Sequence, residues 1–320
     1  MPVGLAQWTR REALAAGLGM GLAGVWPVRR AWAEPVVVGG AGRVGGVERW
    51  ALLADTHING DAAVQGRRGE DMTANLRRMV GEVLETRGGF RAAMINGDVS
   101  HIDGQPADYA VLGGVLRPMR AVMPVWLTLG NHDDRAEAVA WPLGGGGEAP
   151  VGASAAVVGK RVAVLPGRHA DWVLLDSLDK VNVTPGLLGE DQLAWLERYL
   201  DEPAARDRPV FIMLHHTLAP PADSEEAQGR AWWLMDSDAL MRLVRPRRRV
   251  KAVFHGHAHR WRHETVDGLH VVGQPPTSYL FREGDPLGWL EAEVRAGGVE
   301  LKLRAAGHAR DGELVRLKMR

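Results

Sequence analysis

Trp50-Ala51-Leu52-Leu53-Ala54-Asp55-Thr56-His57 runs five apolar residues directly into a carboxylate and an imidazole. So short and apolar a run reads as a buried strand, which places Asp55 and His57 at its C-terminal end. The pattern recurs. Ala92–Ile95 leads to Gly97-Asp98, and Pro124–Leu129 leads to Gly130-Asn131-His132-Asp133. Val210–Leu214 leads to His215-His216, and Val250–Phe254 leads through His255 to Gly256-His257-Ala258-His259. Taken singly, Gly97-Asp98 and Gly130-Asn131 are ordinary turn dipeptides. A lone His215 would be a core imidazole. Taken together, five such motifs behind five apolar runs describe one site. Oxygen and nitrogen ligands delivered from strand ends can hold two divalent ions about 3.5–4 Å apart, the geometry used for in-line attack on phosphorus.

Helical spacing fills the intervals between these runs. Asp71 to Thr86 places Leu76, Met79, Val80, Val83 and Leu84 on one face, with Asp71 as N-cap. Ala107–Met119, Glu190–Leu200 and Asp236–Val244 read as further helices. Val162–Leu165 and Trp172–Leu175 read as a strand pair. Leu269–Val272, Trp289–Val294 and Val299–Leu303 add late strands, with Gly297-Gly298 as a hairpin turn. Alternating strand and helix predicts an α/β fold. The late strands predict two stacked sheets flanked by helices rather than one doubly wound sheet.

The 320 residues are 46% hydrophobic, enough for one large core. Lys and Arg balance Asp and Glu at 39 each, so no global field attracts nucleic acid. Arg245-Pro246-Arg247-Arg248-Arg249 is the one basic cluster and reads as a solvated helix end. There are no cysteines. Disulfides, thiolate ligands and a cysteine nucleophile are excluded.

Residues 1–33 read as an export signal. Thr9-Arg10-Arg11-Glu12-Ala13-Leu14 resembles a twin-arginine motif, a weakly apolar stretch runs to Trp26, and Ala31-Trp32-Ala33 offers a small-x-small cleavage pattern. The stretch falls short of a ~20-residue membrane span. This predicts a periplasmic protein that uses the twin-arginine machinery, membrane-tethered if uncleaved. The expected organisation is a signal at 1–33, a Gly-rich linker at 34–47, a catalytic domain at 48–310 and a tail at 311–320.

The ordered motifs D-x-H, G-D, G-N-H-D, H and G-H-x-H, spanning Asp55 to His259, resemble the calcineurin-like metallophosphoesterase superfamily. Asp103-Gly104, Asp133-Asp134-Arg135, Leu175-Asp176-Ser177 and Gln192–Leu196 are similar to its class III cyclic-nucleotide phosphodiesterase branch. The resemblance implies a four-layer αββα sandwich with a dinuclear metal site at the strand C-terminal ends. It implies that Asp55, His57 and His259 bind one metal, that Asn131, His215 and His257 bind the other, and that Asp98 bridges them. Two ions such as manganese, iron or zinc suit these donors. His132 is then not a ligand but protonates the leaving oxygen or stabilises charge. The hydroxide between the ions would be the attacking group. His216 stays open as an alternative to His215, and His255 and His101 are expected to be structural. Purple phosphatases of the superfamily carry a tyrosine where His101 stands, which argues against a tyrosine–iron site. Gln274–Tyr279 resembles a loop near the site.

The expected substrate is a small phosphate ester. The diester reading covers a cyclic nucleotide or a glycerophosphodiester; phosphomonoester scavenging and non-catalytic metal or phosphate binding are the alternatives. The Gly-rich loop after Trp141 and the stretch Pro220–Trp233 are the expected rims. Trp232-Trp233 reads as a packing pair or as a platform for a base.

Overall fold

The computed structural model describes residues 46–140, 157–203, 207–219 and 232–318. The signal reading, most of the linker and most of the two expected rims lie outside the described residues.

Side-chain alternation along the strands builds four layers. The first sheet has the order β12-β11-β10-β1-β2-β3. It contains β1 (Glu48–Ala54), β2 (Ala92–Asn96), β3 (Val125–Thr128), β10 (Trp289–Arg295), β11 (Gly298–Arg304) and β12 (Leu314–Lys318). The second has the order β4-β5-β6-β7-β9-β8. It contains β4 (Ala163–Pro166), β5 (Asp171–Leu174), β6 (Val210–Met213), β7 (Val250–His255), β8 (Arg262–Val266) and β9 (Leu269–Gly273). Successive residues on a strand face opposite ways. Trp50 and Leu52 therefore join Met94, Trp172, Phe211 and Phe254 in a core between the sheets. Ala51 and Leu53 pack instead with Leu76, Met79 and Leu112, from α1 (Met72–Glu85) and α2 (Pro106–Arg120). On the far side, Val173, Ile212 and Val253 pack with Trp195, Leu196 and Leu240 of α4 (Glu190–Asp201) and α5 (Ser237–Val244). The result is the expected αββα sandwich.

Topology places the site. Strands β1, β2 and β3 run parallel, as do β5, β6, β7 and β9. The registers Ala54↔Asn96, Asn96↔Thr128 and Met213↔Phe254 align the strand ends within each sheet. Each motif follows one of these ends, so all five open on one edge of the sandwich.

Three elements differ from the sequence reading. Residues 311–320 are not simply a tail, because Leu314–Lys318 forms β12, antiparallel to β11. Leu317 is buried against the inter-sheet core, and Arg316 pairs with Glu300 on the neighbouring strand. Only one short face is apolar, and the charges around it conceal the alternation. Strand β8 is polar and largely exposed, an edge strand with no hydrophobic signature. Helix α3 (Arg135–Ala140) spans six residues, too few to show a period. The basic cluster is structural. Arg247 hydrogen-bonds Glu197 and Asp201, and Arg249 donates to the Leu200 carbonyl at the end of α4.

Candidate metal centre

The chain turns sharply as it leaves each strand. Asp55 (φ 53°), His57 (45°), Asp98 (45°), His257 (65°) and His259 (49°) all adopt the left-handed region. Among the described residues only Asn182 and Asp267 share this conformation without being glycine. Each such residue costs on the order of 1 kcal/mol and persists only where its surroundings fix it. Here they do so by hydrogen bonding. Asp55 N–H donates to the Gly97 carbonyl at 3.2 Å, and His57 N–H donates to the Asp98 carbonyl at 2.9 Å. His257 N–H donates to Asp55 Oδ1 at 2.9 Å.

These turns bring the side chains into overlapping groups, each with donor atoms within 4.8 Å of one another. Asp55, His57 and His259 form one; Asp98, His215 and His257 form a second. Asp98 links them: its Oδ2 lies 3.7 Å from His57 Nε2 and 3.2 Å from His215 Nε2. His259 Nε2 is 3.5 Å from Asp55 Oδ1.

Backbone carbonyls set the imidazole tautomers. His215 Nδ1–H donates to the Asn96 carbonyl at 2.9 Å, and His259 Nδ1–H donates to the Tyr279 carbonyl at 2.8 Å. Both rings therefore present the Nε2 lone pair to the cluster. His257 is turned round: its Nε2–H donates to the Trp232 carbonyl at 2.6 Å, leaving Nδ1 as the inward atom. Orientation of a ligand imidazole by its second nitrogen is the usual support of a metal site.

The donor set fits metal ions. Asp55 Oδ2 and Asn131 Oδ1 are buried with no hydrogen-bond partner among the described residues. Such groups cost about 1–3 kcal/mol each if left unsatisfied. Burial holds His257 and His259 at about 3, so both rings are neutral near pH 7. Burial also pushes the Asp55 carboxyl up to about 7, against the pull of His215. Burial alone would depress His215, but Asp98 beside it reverses the direction and raises it to about 9. Asp98 is held well below the usual carboxylate range because His215 overcomes the effect of burial. A divalent cation replaces such trapped protons.

Glycine makes the cluster compact. A Cβ on Gly130 would lie 2.1 Å from Asp98 Oδ1, and one on Gly97 would lie 2.4 Å from His215 Nδ1. Behind them Asp133, fully buried, accepts from the backbone N–H groups of Val99, Ser100 and Gly130 at 2.8–3.4 Å. It ties the Asp98 turn to the Asn131 turn. Asn96 joins the two sheets under the site: Thr128 Oγ1 donates to its Oδ1 at 2.7 Å, and its Nδ2 donates to Gln274 Oε1 at 2.6 Å. Gln192 clasps the backbone of Asp176, and Arg135 forks onto the Asp176 carboxylate at 2.7 and 3.2 Å.

Every expected site residue lies on this edge. Asn131 is buried beside Asp98, where the next backbone N–H, that of His132, donates to Asp98 Oδ1 at 2.9 Å. The His132 ring donates from Nδ1 to the Ile102 carbonyl at 2.7 Å, and it groups with His57 and Asp98 within the same 4.8 Å limit. His215 faces Asp98, whereas His216 pairs through Nδ1 with Ser177 Oγ at 2.8 Å and belongs to neither trio. His101 stands edge-on to His57 at 5.9 Å. Trp232 lies 5.4 Å from the His257 ring and is 38% exposed. The supporting roles of Asn96, Asp133 and Tyr279 were not read from the sequence. For Asp133 a signal existed, since it closes the G-N-H-D motif.

The sequence profile of the calcineurin-like phosphoesterase family matches residues 49–261. The 3′,5′-cyclic adenosine monophosphate phosphodiesterase CpdA of Haemophilus influenzae is 25% identical over 254 residues, covering 77% of this chain and 85% of that protein. A Synechococcus protein named a probable cyclic nucleotide phosphodiesterase is 25% identical over 276 residues, covering 80% and 95%. A solved dimetal phosphatase from Danio rerio superposes with a TM-score of 0.63 at 16% identity, covering 86% of this chain and 99% of that one. The likeness to that structure is one of fold.

Proposed function

The chain belongs to the calcineurin-like phosphoesterase family, and on that footing we propose that it hydrolyses a small phosphodiester of the cyclic-nucleotide class. The observation that carries this reading is the place of Asp98. Its carboxylate stands between His57 and His215, one from each trio, where it would be shared by two ions. We assign Asp55, His57 and His259 to one ion, Asn131, His215 and His257 to the other, and Asp98 to both. When bound, the pair of ions supplies an activated water and charge neutralisation at phosphorus.

The protein's own residues do the rest. Asp133 and the Asn96–Gln274 bridge hold the ligand turns so that the phosphorus position is fixed in advance. His132 is anchored through Nδ1, so its Nε2 is free to hold a proton and pass it to the leaving oxygen. Two of the relatives are named for cyclic nucleotide phosphodiesterase activity, which favours a diester over a monoester. The twin-arginine pattern at Arg10-Arg11 supports export to the periplasm. Among the described residues, no helix is long and apolar enough to cross a membrane.

The test compares hydrolysis of bis-p-nitrophenyl and mono-p-nitrophenyl phosphate, before and after chelation, alongside metal content. About two metals per chain with chelator-sensitive diester turnover is the expected result. Preference for the monoester would replace this reading with phosphate scavenging. Metal without hydrolysis of either ester would make the chain a binding protein.

A further inference from the structure

One wall of the centre carries polar groups that the assignments above leave unused. The Tyr279 ring sits against two proposed ligands of one ion, 4.9 Å from His57 and 4.6 Å from His259. It is buried, and its backbone carbonyl orients His259. The Arg67 side chain acts electrostatically on its hydroxyl. The Arg67 guanidinium is itself placed 4.6 Å over the Phe281 ring, and Phe281 stacks on His259 at 4.1 Å and 10°. Among the described residues the Tyr279 hydroxyl donates no hydrogen bond. His101, 6.3 Å away ring to ring, adds a buried Nδ1 with no hydrogen-bond partner among the described residues. His132, 5.3 Å from His57, completes this side.

A hydroxyl held against two proposed ligand histidines, with no protein acceptor among the described residues, can donate to an oxygen that arrives from outside. We propose that the Tyr279 hydroxyl, positioned by Arg67, donates a hydrogen bond to a phosphoryl oxygen of the bound ester. The ligand class is an oxyanion on phosphorus. Arg67 acts through Tyr279: its guanidinium polarises the hydroxyl and, spread over Phe281, brings positive charge to the mouth. Phe281 has one face on His259 and is approached by Arg67, so it serves as a brace rather than as a platform for a base. This inference rests on the phosphoesterase reading and deepens it.

Tyr279→Phe removes the hydroxyl and keeps every ring contact. A hydrogen bond to a charged group is worth tenfold or more. With metal content unchanged, kcat/KM for bis-p-nitrophenyl phosphate should therefore fall about tenfold. The affinity of the metal-loaded protein for inorganic phosphate, measured by calorimetry, should fall by about the same factor. Arg67→Ala alters an exposed side chain and should weaken phosphate binding in the same direction. Added to Tyr279→Phe it should cost little more, because the two share one interaction. Phosphate affinity within twofold of wild type in a metal-replete Tyr279→Phe or Arg67→Ala protein would overturn the proposal. So would loss of metal from Tyr279→Phe, since the hydroxyl would then be structural. Failure of the phosphoesterase reading looks different: the metal-loaded wild type would itself turn over no ester and bind no phosphate.

Discussion

Gly130→Ala tests the geometry of the centre with a single methyl group. The added Cβ would lie 2.1 Å from Asp98 Oδ1, 2.5 Å from Asp98 N and 2.7 Å from His215 Cδ2, against the 3.4 Å at which ordinary contact begins. Both neighbours are buried, and both belong to the proposed metal centre. The Asp98 carboxylate cannot rotate away without leaving the line between His57 and His215. A shift of about 1 Å is therefore forced on a proposed bridging ligand, and misplacement of that size costs on the order of 100-fold in rate. Overpacking adds about 1–3 kcal/mol of destabilisation. Gly81, inside α1, is the control, because a Cβ there meets nothing within 4 Å. Gly81→Ala should stabilise by about 0.5–1 kcal/mol and leave activity unchanged. The assays are metal content by mass spectrometry, bis-p-nitrophenyl phosphate turnover and thermal unfolding on the two variants side by side. A Gly130→Ala protein with two metals and wild-type turnover would refute the packing argument and the bridging role given to Asp98.

Asp98→Ala should empty at least one ion position and abolish turnover; retained activity would sink the dinuclear assignment. His132→Ala should lower turnover by about 100-fold, within the range for a general acid, with metal content near normal. Loss of both metals would instead make His132 a ligand. Loading the metal-free protein at pH 7 should release protons, because Asp55 (about 7) and His215 (about 9) both sit above their ordinary values and must lose their protons to ligate. The release should shrink above pH 9, and apparent metal affinity should climb as pH rises towards that point. A pH-stat titration with no release at pH 7 would contradict the assignment. Replacing both Arg10 and Arg11 by Lys should trap the protein in the cytoplasm, checked by fractionation; unchanged periplasmic protein would discard the export reading.

The sandwich was legible because its central strands are buried on both faces. Trp50–Ala54 and Val210–Leu214 read as unbroken apolar runs that end at polar residues. Its edges were not legible. Among the described residues Arg262–Val266 pairs only with β9 and lies mostly in solvent, and Leu314–Lys318 buries little beyond Leu317. Pairing there is decided by the neighbouring backbone, so composition carries almost no trace of it. The proposed ligand positions stand out in the sequence for a chemical reason. In a chain without cysteine, transition-metal donors come chiefly from carboxylate, amide and imidazole groups, and here they follow strand ends, so residue type and spacing are both constrained.

The residues that aim those ligands obey no such constraint. His215 is oriented by the carbonyl of Asn96, His257 by that of Trp232 and His259 by that of Tyr279. A backbone carbonyl is offered by every residue type, so nothing in the side chains of those three positions announces the role. What selects the carbonyl is the path of the backbone, and that path is held by side chains well separated in sequence. Thr277 N–H and Oγ1 both donate to the Ala54 carbonyl, at 2.9 and 3.1 Å, and pin the Tyr279 segment to the end of β1. Asp133 pins the Asp98 turn from the opposite side. The left-handed conformations of Asp55, His57 and His257 are thus sustained by hydrogen bonds within the fold. Metal affinity should therefore be more sensitive to Asp133 or Thr277, which hold the turns, than to changes in the outer helices of equal effect on stability.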